Sequence, residues 1–596
     1  MILSINKRGY GMVIRGLLLL SAIFLVSCTK TENFNEKVLN IVAVERIKGF
    51  DPIQADDLYS SNEIARVYDG LYQYHYLKRP YELQPNLASE MPEVSDDGLT
   101  YTIKIKKGVL FQDDISFPNG EGREVKAQDF VYSIKRMADA HNQSTGWWIL
   151  EGKVKGLDEW RQKYAKESKA DYDEVIEGLK TLDDYTIQFK LNAPFPQFVY
   201  ALAMPFTYVV AKEVVDHYGN EFVNHPVGTG AFITEKFTSS NKIIYYKNPK
   251  YRDDFYPTEG EEGDEEKGLL KYAGQKLPLV DKLIVNIQHE AQPRWLAFEK
   301  GRADYLEIPK DNFDQVITPD KGVTDEFAKK GILLDITADL DVTFTAFNHD
   351  LDVFKNNKKL RQAMNLAYDV EASNTLFYNN TGILAEAVIP PGIAGYNANF
   401  KNPFAKFDLE KAKSLLAEAG YPEGKGLPII KYETLANTTS RQMAEFFKTQ
   451  MSRIGINVEI NSNTWPELQK KVSTREHMMY GMGWSADYPD AENFLSLLYG
   501  PNAAPGSNGS NYNNPEFNKL FEKAKIMQHS PERTALYEKL NEMIAEEAPW
   551  IFGVHRTSFV VRHSWLENFK FTTFDHGTAK YLGVDLEKKK EIYPKL

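Results

Sequence analysis

The residues best suited to chemistry in this chain stand together in Gly483-Trp484-Ser485-Ala486-Asp487-Tyr488-Pro489-Asp490-Ala491-Glu492-Asn493. A carboxylate, Asp487, follows Trp484 by three residues and directly precedes Tyr488, ahead of a turn-forming Pro489. An acid walled by aromatic rings suits capture of a cation, because excluding water strengthens the charge pairing that remains. Gly483 would let another backbone approach closely, and Ser485 adds a small polar neighbour. Asp490 reads as a turn residue.

No catalytic set accompanies that acid, and the chain reads as a binding protein and not an enzyme. No Gly-rich loop ends in Gly-Lys-Ser or Gly-Lys-Thr, so nucleotide hydrolysis has no support. The closest of the 11 histidines, His217/His225 and His555/His563, lack a Glu at metalloprotease spacing. Ser485 lies between Trp484 and Ala486, without the glycines of a nucleophile elbow. The run Glu259-Gly260-Glu261-Glu262-Gly263-Asp264-Glu265-Glu266 lacks the alternation of a calcium loop and reads as a hydrated, self-repelling segment. No cofactor or metal is expected.

The N-terminus says where the chain works. Lys7, Arg8 and Arg15 precede the apolar run 16–26, which is short of the ~20 residues that span a bilayer. A basic flank and a short apolar core read as a secretory signal over residues 1–27, with Met12 as a second possible start. The signal ends in Leu25-Val26-Ser27-Cys28, which looks like a bacterial lipobox. Cys28 is the single cysteine, so no internal disulfide forms and lipidation is its expected use. Each buried acyl methylene would add about 0.8 kcal/mol of anchoring. Residues 28–37 form a polar tether.

The elements that must position the acid are mixed. A chain of 596 residues with 42% hydrophobic and 26% charged content is globular and large enough for two or three domains. A net charge of −12 argues against nucleic acid or an anionic membrane surface as the main partner. The 33 tyrosines suit a binding cleft as well as a core. Strands are expected at 38–44, 99–105 and 186–191 from apolar alternation, and helices at 61–71, with Ser61 as cap, and at 126–136. Strands interspersed with helices give an α/β (mixed α+β) class.

The segment around Asp487 resembles the Trp-x-Ala-Asp-Tyr-x-Asp-Pro signature of family 5 solute-binding proteins, the peptide-binding components of ABC importers. Further blocks match in order: Asp69-Gly70-Leu71, Val125 to Ser133, Pro226 to Phe232, Leu360 to Asp369, Ala412 to Tyr421 and Asn511 to Phe517. The resemblance implies a periplasmic-binding-protein-like class II fold of two lobes joined by a hinge, with three domains. Residues 38–68, 196–305 and 549–596 would form the first, 69–195 an inserted second, and 306–548 the third.

By the same resemblance Asp487 grips the α-amino group of a bound oligopeptide. The peptide would lie as an added strand between the backbone at Asp56, Asp57 and Leu58 and that at Gly483 to Ser485. Trp484 and Trp465 would line side-chain pockets with Tyr488 beside the acid, and Trp147 or Trp148 would add a wall. The family partners are permease subunits in the membrane with a cytoplasmic ATPase, served by a monomeric protein held by its lipid on the outer side of a bacterial membrane. Two departures stand out. Ala491 replaces the usual proline, and no basic residue clearly matches a grip on the peptide carboxylate, Arg475 being the candidate. Other ligands the resemblance covers are a metal chelate, haem or an oligosaccharide.

Overall fold

Alternation decides the first sheet. In the computed structural model, which describes residues 34–596 apart from 80, 236–240 and 573–575, Val38–Ala43 runs parallel to Lys282–Ile287. That strand pairs antiparallel with Lys242–Lys247, which pairs with Phe232–Thr234. Leu39 opposite Leu283 and Ile41 opposite Val285 set apolar side chains on one face, where they are buried. Cys28 and the signal lie outside the described residues. Among those described, no helix is long and apolar enough to cross a membrane.

The inserted segment carries its own antiparallel sheet, ordered Glu93–Val94, Thr100–Lys104, Thr186–Lys190 and Leu179–Asp183. The Ala127–Ala138 helix covers it and is buried on nearly every side rather than along one stripe. Residues 39–285 and 560–584, joined by Tyr488, supply one large core. A five-stranded sheet, ordered Val458–Asn463, Ile430–Leu435, Met479–Ser485, Asp341–Phe347 and Trp550–Phe552, sits between two further cores drawn from residues 342–552 and Tyr74. These are the two lobes of the expected α/β fold.

The chain passes between lobes at two adjacent places. Ile332–Ala338 leads through Asp339 and Leu340 into Asp341–Phe347, and Val554–His555 leads through Arg556 into Thr557–His563. The two crossings are laced together. Asp339 N donates to Arg556 O (2.9 Å), Ser558 Oγ to Asp339 Oδ2 (2.8 Å) and Arg556 N to Asp341 Oδ1 (2.8 Å).

Two expectations change here. The first helix runs Leu58–Val67 and is capped by Asp57, which accepts from Ser60 N, while Ser61 sits inside it with its hydroxyl on Ala55 O. In the acidic run, Glu262, Glu265 and Glu266 are exposed, but Asp264 is fully buried and paired with Lys570 at 2.8 Å. That loop is therefore anchored by an ion pair and not merely hydrated.

Candidate functional site

The site grows from a strand that loses one neighbour. Met479–Ser485 pairs with Asp341–Phe347 along its whole length, but with Ile430–Leu435 only at Met479 and Tyr480. Gly481 to Ser485 thus present an edge with no strand beside it. Gly481, Gly483 and Ser485 share one face with Thr345, Thr343 and Asp341, a floor of small side chains. The Tyr432 hydroxyl fills the space above Gly481, 2.2 Å from where a Cβ would stand, so only glycine fits there. Met482 and Trp484 point to the other face and pack on the second lobe's core.

Asp487 follows the strand end, where Ala486 N donates to Leu340 O (2.8 Å). Its placement is governed by Asn493, which is fully buried. Asn493 Nδ2 donates to Asp487 Oδ2 (2.7 Å), while Asn493 Oδ1 accepts from Asp487 N (3.0 Å) and Trp484 Nε1 (3.3 Å). Asn493 is itself fixed by the short helix Ala491–Leu495, whose cap Asp490 accepts from Glu492 N. Arg533 grips Asp490 through both Nη groups (2.9 and 3.1 Å) in a buried pair. Burial pushes the Asp487 carboxyl up to about 6, opposed by the Asn493 bond. No described cation pairs with this half-buried acid. A desolvated carboxylate without a counter-ion suits a ligand that brings one.

The other expected residues divide. Gly483 is exposed and Ser485 half-buried on the floor. Trp484 and Trp465 are both half-buried and pack on the same core, and the Trp465 Nε1 is buried without a partner. Tyr488 is buried, its ring stacked on Tyr200 at 5.9 Å and its hydroxyl bonded to Glu492. Trp147 is buried with the Arg161 guanidinium 5.0 Å from its ring, so the half-exposed member of the pair is Trp148. Asp56 is exposed and pairs with Lys48 at 2.6 Å. Leu58, 44% exposed, opens a helix, so Asp56 to Leu58 form a helix cap and not the strand-like edge expected. Arg475 is taken up by Ala504 O and Asp350.

Sequence reading missed Asn493 and Arg533, whose contacts arise only through the fold. It also missed Lys153, whose Nζ donates to Trp148 O and whose amine burial pulls down to about 8, against the attraction of Glu492. Links between the lobes flank the floor: Gln197 Nε2 donates to Asp490 Oδ2 (3.3 Å) and Thr438 Oγ1 to Glu290 Oε2 (3.0 Å). A cavity of about 780 Å3 lined by Lys104, Lys106, Lys107 and Arg252 lies apart from Asp487 and includes none of these residues. Among the described residues no cluster of His, Cys, Asp and Glu is arranged to hold a metal ion.

Known proteins resemble this arrangement along nearly its whole length. The family model for bacterial extracellular solute-binding proteins, family 5 (middle region), matches residues 82–506. Heme-binding protein A of Haemophilus influenzae is 29% identical, covering 91% of this chain and 91% of its own. The dipeptide-binding protein of Escherichia coli is 26% identical, covering 90% of this chain and 92% of its own. An ABC transporter-associated periplasmic binding protein of Helicobacter pylori, solved in complex with the peptide STSA, superposes with a TM-score of 0.75 at 27% identity. It covers 92% of this chain and 98% of its own.

Proposed function

This chain belongs to family 5 of the bacterial extracellular solute-binding proteins, and from that membership we propose that it captures short peptides by their N-terminal ammonium. The observation that carries the reading is Asp487, a desolvated carboxylate with no cation partner among the described residues, at the end of an open strand edge. A peptide adds to the edge of Gly481 to Ser485 by main-chain hydrogen bonds, which read backbone and not sequence. Its ammonium reaches Asp487, held in place by Asn493. The small floor leaves room for side chains, with Trp484 and Trp465 bracing the strand from behind and Tyr488 holding the turn. The orphan amides at the start of the Leu58–Val67 helix offer donors from the first lobe.

Closure of the lobes about the two crossings then presents the loaded protein to a membrane permease driven by a cytoplasmic ATPase. The protein works as a monomer, exported and tethered through an acylated Cys28. We keep the domain division expected from sequence with two changes, the first being that the third segment extends to about residue 555, because Trp550–Phe552 is paired with Asp341–Phe347. The second is that it starts at about residue 339, because Ile332–Ala338 is hydrogen-bonded to Thr557–His563 of the first.

Calorimetry with tri- to pentapeptides tests the capture. Free peptides bind, and N-acetylation or Asp487→Ala each weaken binding at least tenfold; equal affinity for acetylated peptides would refute the ammonium grip. A second reading, haem as ligand, is favoured by the similarity to heme-binding protein A. Titration with haem followed by visible absorption, and a native mass spectrum of the purified protein, separate the two.

A further inference from the structure

The double crossing between lobes leaves one cation with unused hydrogen-bonding capacity. Arg556 stands where the chain returns to the first lobe, just before Thr557–His563. Its backbone amide and its Nε both donate to Asp341, a carboxylate with no exposure. That grip from behind fixes the guanidinium plane yet uses only Nε. Neither Nη group has a partner among the described residues, and the side chain is 40% exposed. Nη2 lies 3.7 Å from where a Cβ would stand on Gly483, above the floor beside the open strand edge. The free side of a guanidinium matches the two oxygens of a carboxylate.

Acidic groups surround Arg556, so it is the open Nη edge of the guanidinium, and not the net charge about it, that selects an anion. The groups facing Arg556 are Asp341 and Asp339 from the crossing, Glu307 from the Tyr305–Glu307 strand, Tyr378 from the Val370–Tyr378 helix and Tyr59 from the Leu58–Val67 helix. Arg294, from Ala291–Glu299, is a second cation near Glu307, but it donates to Gln288 O and His289 O and is also faced by Glu45 and Glu290. Asp341 is already committed to Arg556. Burial pushes Asp339 up to about 7, and desolvation between the neighbouring groups also raises Glu307, whose side chain is exposed. Glu307 makes no ion pair among the described residues.

We propose that Arg556 is an anion subsite, taking a carboxylate of the same ligand whose ammonium Asp487 takes. It rests on the capture reading above and adds the second charge of the ligand. Gly483 lies within the strand and Asp487 two residues beyond its end at Ser485, so the two positions stand at most about 13 Å apart, the full reach of four residues. The ligand therefore separates its charges by no more than roughly the length of a tri- or tetrapeptide. The carboxylate comes from the C-terminus or from an acidic side chain, which offer the same chemistry.

Calorimetry with Ala-Ala-Ala, its C-terminal amide, its N-acetyl form and an Asp-containing amide, on the wild type and on Arg556→Lys, tests it. Lysine keeps a charge against Asp341 but presents no forked edge. Amidation weakens wild-type binding about ten- to a hundredfold, and Arg556→Lys abolishes most of that difference while the acetylation penalty persists. Recovery by the Asp-containing amide assigns the carboxylate to a side chain, and no recovery assigns it to the C-terminus. If acetylation abolishes binding and amidation changes nothing, the subsite is overturned and peptide capture stands. If haem binds and peptides do not, peptide capture falls. Loss of haem binding in Arg556→Lys but not in Asp487→Ala then keeps the subsite, and unchanged haem binding removes it. Should the lysine variant unfold on a thermal scan, the wild-type contrast between acid and amide decides alone.

Discussion

At the scale of single residues, the site is one acid kept in an unusual state by one amide. Asp487 must be ionised to hold an ammonium, yet burial raises its carboxyl to about 6. Peptide affinity should therefore fall about tenfold per pH unit below 6, and again above about 8 as the ligand ammonium deprotonates. Calorimetry across pH 4.5–9 shows the bell, and an unchanged affinity at pH 5 would argue against Asp487. Asn493→Ala removes the bond that lowers this carboxyl, so the acid limb should move to higher pH and affinity should drop about tenfold. Asp487 was legible because aromatic neighbours and a following proline sit beside it in the chain. Asn493 was not, because it reaches Asp487 only after a capped helical turn folds back. Tyr488 stands next to the acid in sequence but turns into the core against Tyr200.

At the scale of elements, the departure of one strand from its neighbour creates the open edge. The floor beneath it depends on glycine at position 483, where a Cβ would meet nothing closer than 3.6 Å. Gly483→Ala should leave folding stability within about 0.5 kcal/mol yet weaken peptide binding, because the methyl group occupies ligand space. Thermal unfolding and calorimetry on the same sample separate the two effects. The helices behind the site are held by the buried Arg533–Asp490 pair. Arg533→Met strands that carboxylate and should cost about 3–5 kcal/mol in urea unfolding. Elements with strict alternation, such as Thr100–Lys104 and Thr186–Lys190, could be read within a residue or so. The segment at Asp56 to Leu58 could not, since a helix cap and a strand edge use the same short polar residues.

At the scale of the whole molecule, two lobes meet at two laced crossings that contain a titrating acid. Asp339 is raised to about 7 by burial, with Arg556 opposing. A raised carboxyl binds more protons folded than unfolded, so its share of stability is complete below about pH 4 and is lost as pH rises through 7. The melting temperature of the ligand-free protein should fall between pH 5 and 8, and Asp339→Asn should flatten part of that fall. An unaltered slope would remove Asp339 from the account. Composition and periodicity gave the mixed fold class, but the interleaving of segments was visible only through the family resemblance, since contacts between distant stretches leave no local pattern. That interleaving has a consequence for how the protein comes into being. Tyr76 bonds to the carbonyl of Asn568, a partner 492 positions later, and the first core closes only with residues 560–584. Bringing such remote stretches together is entropically slow. The earliest-made lobe therefore has to wait, unfinished, for the last residues to arrive, a delay that suits a polypeptide threaded through a narrow translocation channel before it folds.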